Sequence, residues 1–204
     1  MNLAIIGSGN VGGALAGALR RAGHQVVFGV RDPQPGKPDE TTVAGSAKSA
    51  DVVILAVPFT AARDVIASAS GFAGKVLIDA TNPLGMKEDG LGLTVGFDTS
   101  GAEQVAAMAP QAQVFKAFNQ TGFENMADAR RYTARPVMFV AGDGNRKPAV
   151  LSLVGEAGFE AIDLGGLRTA RLLEPFAMLW IELARKRGLG SDFVFTLQRT
   201  ASKD

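Results

Sequence analysis

Cysteine is absent from the 204 residues, and histidine, tryptophan and tyrosine occur once each. No disulfide, thiolate nucleophile or cysteine metal site is therefore possible, and no cluster of histidines can form. Charge of either sign is in short supply as well: 21 basic against 20 acidic residues give a formal net charge of +1. Such a balance provides no field to hold nucleic acid, and no basic tail or stripe offsets it. No apolar run approaches the ~20 residues that cross a bilayer, and the first residues lack a basic stretch with a cleavage site. The expectation is a cytoplasmic protein without nucleic-acid or membrane partners.

What the chain does have is glycine, 25 residues of it. Ile5-Ile6-Gly7-Ser8-Gly9-Asn10-Val11-Gly12-Gly13 has the GxGxxG spacing of a dinucleotide-binding turn. Gly7 allows a sharp turn as a strand ends, Gly9 leaves room for a pyrophosphate, and Gly12 lets a helix lie close to the sheet. The context supports the motif. Leu3 to Ile6 reads as a buried strand, while Val11, Ala14, Leu15, Ala18, Leu19 and Ala22 recur at helical spacing, with Gly23 as the stop.

Strand and helix signals then alternate, which predicts an α/β fold with a mostly parallel, doubly wound sheet. Strands are expected over 25–30, 51–57, 75–80, 113–118, 136–141 and 159–163, and a loop over 32–40. The segment 82–98 reads as the longest irregular stretch, of the length that in compact domains is functional. Ser100 and Glu103 form a capping box for the helix that follows. After Asp163 the chain changes character. Leu172, Leu173, Phe176, Leu179, Trp180 and Leu183 make an apolar stripe on a helix expected to start or kink at Pro175. The division is a nucleotide-binding domain over 1–163 and a small helical extension over 164–204 packed on it. The stripe can cover the sheet or form a homodimer interface with Phe176 and Trp180 buried between subunits.

Open α/β sheets bind ligands at the carboxyl ends of their strands. Those ends carry Gly7 to Val11, Arg31, Ala56-Val57-Pro58-Phe59, Thr81-Asn82-Pro83-Leu84 and Ala117-Phe118-Asn119-Gln120-Thr121. Where an NAD enzyme places a carboxylate for the ribose 2′-OH, this chain has Val30, which cannot accept a hydrogen bond. Arg31 beside it can hold a 2′-phosphate, so NADP(H) is expected, although Arg31 can instead pair with Asp32. Asn82 and Asn119 are either ligand-facing or turn residues bonded to their own backbone. No side chain stands out as a catalytic acid or base, and His24, at the end of the first helix, is expected to be structural.

The segments GSGNVGGALA from Gly7, VRDP from Val30, AVPF from Ala56, ATNPL from Ala80, KAFNQTG from Lys116, MFVAGD from Met138, and DLGGL with ARLLEPFA after Asp163 occur in the order found in one family. Along nearly its whole length the chain resembles the NADPH-dependent coenzyme F420 reductases, their bacterial relatives and the NADPH-binding domain of STEAP ferric reductases. The resemblance implies a Rossmann fold that cradles NADPH with Ser8, Gly9, Asn10 and Val11. It also implies Arg31 on the 2′-phosphate, Val57 and Pro58 lining the nucleotide, and Pro83 and Ala117 near the nicotinamide. Coenzyme F420 or a flavin is the implied second substrate. The chain is shorter than the coenzyme F420 enzymes between the second and third expected strands, and ATNPL and KAFNQTG look more like the relatives, so the two acceptors stay open. The expected activity is hydride transfer between NADP(H) and such a ring with no essential side-chain acid or base, since ring alignment carries that reaction. The alternatives are an NADP-dependent imine or hydroxyacid dehydrogenase, in which Lys116 or Asn119 would help move a proton, and a non-enzymatic NADP sensor.

Overall fold

The structure is a computed structural model that describes residues 1–200. An eight-stranded sheet runs through it, assembled from β1 (Asn2–Ile6), β2 (Gln25–Val30), β3 (Glu40–Thr42), β4 (Val52–Leu55), β5 (Val76–Asp79), β8 (Gln113–Lys116), β9 (Val137–Gly142) and β10 (Glu160–Asp163). The spatial order is β10-β9-β8-β5-β4-β1-β2-β3. β1 lies between β2 and β4, and the chain winds first to one side of it and then to the other. The strand order thus reverses at the carboxyl end of β1, where open α/β sheets bind ligands.

The central strands are buried on both faces, as their unbroken apolar runs require. In β1, Leu3 and Ile5 enter one core layer with Leu15 and Leu19 of α1 (Asn10–Arg21) and with Val150 and Leu153 of α6 (Lys147–Glu156). Ala4 and Ile6 face the opposite layer, with Val43 of α2 (Val43–Ser49), Ile66 of α3 (Ala62–Ser68) and Val105 of α4 (Gly101–Met108). The expected mostly parallel, doubly wound α/β architecture is present.

Three local expectations are corrected, and the direction of one strand is decided. The loop over 32–40 ends in the short edge strand β3, which pairs Phe28 with Glu40 and Val30 with Thr42. The stretch 82–98 is not irregular throughout: β6 (Leu84–Lys87) and β7 (Gly90–Leu93) form an antiparallel hairpin in which Leu84 faces Leu93. Glycine at alternate positions hid the two-residue period there. β9 runs antiparallel to β8, and β10 follows β9. The segment between them, with the five-residue α5 (Phe123–Ala127), never crosses the sheet, so β9 starts beside the end of β8 and returns. Finally, α7 (Ala170–Ile181) begins ahead of Pro175 and carries it in its interior. An interior proline costs about 3 kcal/mol, which burial of Leu173, Ala177 and Trp180 offsets.

The apolar stripe of α7 is covered largely by its own chain. Trp180 stacks on Phe193 at 5.3 Å and Phe176 lies 4.7 Å from Phe195, between that ring and Phe139 of β9. Among the described residues, no helix is long and apolar enough to cross a membrane.

Candidate nucleotide-binding site

β1 ends at Ile6, and Gly7 turns the chain with φ +104°, a left-handed conformation that side chains resist. A Cβ on Gly7 would also stand 2.6 Å from the Ala56 carbonyl oxygen. Gly12 is needed for a different reason. It is buried in the first turn of α1, where a Cβ would lie 1.9 Å from the carbonyl oxygen of Gly7, so only glycine lets the helix start so close to the turn. Around Gly9, by contrast, there is open space. The sharp turn at Gly7 and the close helix start at Gly12 are thus as their spacing predicted, and a Cβ on Gly9 would meet nothing within 4 Å.

Gly9 caps α1 without a side-chain hydrogen bond, and the first turn holds no acidic residue. The helical ladder begins with Gly13 N–H donating to the Gly9 carbonyl at 2.8 Å. The N–H groups of Asn10, Val11 and Gly12 precede it and face the positive end of the helix dipole without backbone partners. Ser8, Gly9 and Asn10 are exposed, and Val11 is half-buried against the core. Three such donors can satisfy an anion of the size of a phosphate.

Beside this turn lies a cavity of about 550 Å³, lined by Gly7, Val30, Arg31, Thr42, Val57 and Pro58 among others. Its walls are the ends of β2 and β4 and the starts of α2 and α3. Arg31 is exposed and has no ion-pair partner among the described residues, so the alternative pairing with Asp32 does not form. Ala56 is half-buried, and its backbone N–H donates to Ile6 while its carbonyl walls the glycine turn.

The residues expected at the far end are arranged differently. Asn82 and Asn119 bond each other across the ends of β5 and β8: Asn82 Nδ2 donates to the Asn119 carbonyl at 2.8 Å, and Asn119 Nδ2 donates to Asn82 Oδ1 at 3.1 Å. Their side chains thus bond across two strands and not to their own backbone, a latch that also reaches the Leu173 carbonyl of α7. Pro83 is buried, and its carbonyl accepts from the backbone N–H and the hydroxyl of Thr94, which anchors the hairpin. Ala117 is fully buried with its methyl in the core. A larger side chain there meets the core.

Lys116 is enclosed as well. It is fully buried, and its ammonium lies 2.9 Å from both Asp79 and Glu174 and donates to the Thr81 carbonyl at 2.6 Å. Glu174 in turn accepts from the N–H groups of Gly101 and Ala102 at the start of α4. His24 is structural as expected, 2.6 Å from Glu156 and bonded to the terminal amine.

The sequence reading missed Thr42, Ala61, Asp64, Val65 and Ser68, all of which line the cavity. Their signal was available in part: 61, 65 and 68 recur at helical spacing, and polar residues on a helix whose other face is buried mark the side turned to solvent or ligand.

The family model described as "NADP oxidoreductase coenzyme F420-dependent" matches residues 2–83. The F420-dependent NADP reductase of Methanothermobacter marburgensis is 31% identical over 210 residues, covering 90% of this chain and 92% of that protein. Metalloreductase STEAP3 of Rattus norvegicus is 28% identical over 180 residues, which are 85% of this chain, but the match spans only 36% of STEAP3. A solved structure from Arthrobacter sp. fb24, described as a candidate F420-dependent NADP reductase, superposes with a TM-score of 0.88 at 30% identity, covering 98% of this chain and all of that one.

Proposed function

Because the chain belongs to the family of coenzyme F420-dependent NADP oxidoreductases, we propose that it transfers hydride between NADP(H) and a second planar redox ring, a deazaflavin of the coenzyme F420 type or a flavin. The observation that carries this reading is the unpaired Arg31 in the wall of a cavity that adjoins the uncapped first turn of α1. NADPH, when bound, supplies the hydride. The residues of the chain bind and orient it: the N–H groups of Asn10 to Gly12 hold the pyrophosphate, Gly9 leaves the room, and Arg31 takes the 2′-phosphate.

No step asks for a side-chain acid. Ring-to-ring hydride transfer depends on alignment, and the accompanying proton can come from water. The dehydrogenase alternative called on Lys116 or Asn119 to move the proton; the burial of Lys116 between two carboxylates and the bonding of the Asn119 amide to Asn82 and the Leu173 carbonyl speak against those roles. We extend the reading to a cytoplasmic homodimer that pairs through the outer side of α7, where Leu172 and Leu179 stay exposed.

Oxidation of NADPH measured against a deazaflavin, FMN, FAD and ferric chelates tests the activity. Turnover with a ring acceptor is expected, and binding of NADPH with no turnover on any acceptor would leave the sensor reading. The nucleotide is tested separately. A charge-assisted bond is worth roughly 1.5–3 kcal/mol, so NADPH should bind about ten- to a hundredfold more tightly than NADH. Arg31→Ala should lose that margin with NADH affinity unchanged, and equal affinities in the parent protein would refute the assignment.

A further inference from the structure

Beyond Lys116 the chain leaves the ladder that pairs β8 with β9. Continued, that register would set Phe118 against Phe139. Phe118 instead turns away with φ +61°, and its N–H donates to the Met138 sulfur at 3.2 Å. Gln120 then reaches back and supplies what the strand no longer does. Its Oε1 accepts from the Phe139 N–H at 3.0 Å and its Nε2 donates to the Phe139 carbonyl at 2.9 Å, so a side-chain carboxamide stands in for a peptide group. Gln120 is buried, and the binding of a nucleotide makes no use of it.

Phe139 also fixes which way this amide points, because a backbone N–H can only donate and a carbonyl can only accept. The second hydrogen on Gln120 Nε2 goes to Asn119 Oδ1 at 3.0 Å. That leaves Asn119 Nδ2 as a donor, and it spends both hydrogens, on the Leu173 carbonyl of α7 and on Asn82 Oδ1. Asn82 in turn gives one amide hydrogen to the Asn119 carbonyl. Its other amide hydrogen has no partner among the described residues, and Asn82 is only half-buried where Gln120 and Asn119 are buried. The linked amides therefore end, at the carboxyl end of β5, on a free donor.

We propose that Gln120 is a positioning residue: through Asn119 it holds Asn82 so that this free N–H meets the carbonyl edge of the ring that receives the hydride. The inference rests on the hydride-transfer reading above. A hydride moves with its electron pair, so the nicotinamide is left oxidised and the receiving ring carries the added negative charge until a proton follows from water. A donor already held at that edge stabilises the charge as it forms, with no reorganisation at the moment of reaction.

The test is steady-state oxidation of NADPH by FMN and by a deazaflavin with the whole protein, alongside NADPH affinity from isothermal titration. One hydrogen bond made only in the transition state is worth about tenfold in rate. Asn82→Ala and Gln120→Met should each lower kcat by about that factor, with NADPH affinity within about twofold of the parent. The variant that joins the two substitutions should be no slower than Asn82→Ala alone, because Gln120 acts through Asn82; damage to the fold would instead multiply with the loss of the donor. Losses that multiply, or a Gln120→Met as fast as the parent, would overturn the inference. An unchanged kcat in Asn82→Ala would overturn it too, and that half-buried exchange does not depend on how well Gln120→Met folds. In each of these cases turnover by the parent leaves the hydride-transfer reading standing. A parent protein that oxidises NADPH with neither ring would remove both.

Discussion

Lys116 is the residue whose placement changes the chemistry most. Taking an ammonium and two carboxylates out of water is costly, and the group is tolerable only because each charge finds partners: Asp79, Glu174 and the Thr81 carbonyl for the lysine, and the N–H groups of Gly101 and Ala102 for Glu174. Removing the cation leaves two buried carboxylates facing each other. Lys116→Met should therefore cost about 3–5 kcal/mol of stability, read from urea unfolding. Adding Asp79→Asn and Glu174→Gln should recover part of the loss. A variant as stable as the parent would show that the lysine is free, as a proton donor would have to be. Ala117→Leu belongs to the same scale: its expected effect is a core overpacked by roughly 1–3 kcal/mol.

At the scale of elements, α7 is tied to α4 twice, by buried Glu174 and by the half-buried pair of Arg171 with Glu103. The guanidinium donates to both carboxylate oxygens, at 2.9 and 2.8 Å, and Ser100 donates to the same carboxylate at 2.8 Å. These hydrogen bonds, the Arg171 ones foremost, hold the Glu103 carboxyl below the usual glutamate range against the opposing effect of its partial burial. A carboxyl whose folded value lies below its unfolded one stabilises the fold above the unfolded value, and that stability is lost as pH falls through the folded value. Glu103→Gln should thus cost about 0.5–1 kcal/mol at neutral pH. Once both states are protonated, well below about pH 4, the parent and the variant should unfold alike. Denaturant curves at both pH values check this, and a cost that persisted in acid would mean that packing, not charge, joins the helices.

For the whole molecule, the residues after α7 decide what is left for a partner. They return along the helix, where Phe195 accepts from the Val137 N–H at 3.0 Å and Phe193 from the Trp180 indole at 3.2 Å. Phe176 and Trp180, expected at a subunit interface, are thereby covered within the chain. Leu172 and Leu179, seven positions apart and thus on one side of the helix, remain 64% and 47% exposed. A homodimer formed through that side should appear in sedimentation at micromolar concentration, and Leu172→Glu with Leu179→Glu should return it to monomer. A parent protein that sediments only as monomer would remove the proposal.

The amino-acid sequence by itself determined the elements whose signals are local. The glycine spacing placed the turn after β1, because Gly7 and Gly12 answer clashes within a few residues of themselves. Unbroken apolar runs marked the central strands, and Val30-Arg31 at the end of β2 marked one wall of the cavity. Only the tertiary structure decided what depends on distant partners. The strand direction of β9 follows from where the chain lies after β8. The hairpin exists because Leu84 finds Leu93, and Asn82 spends its amide on Asn119, 37 residues away. Lys116 in a strand looks the same in sequence whether it meets solvent, substrate or two buried carboxylates. Its charge acquires a role only when β5, β8 and α7 converge, since the cost of burying it is set by groups that no local pattern brings together.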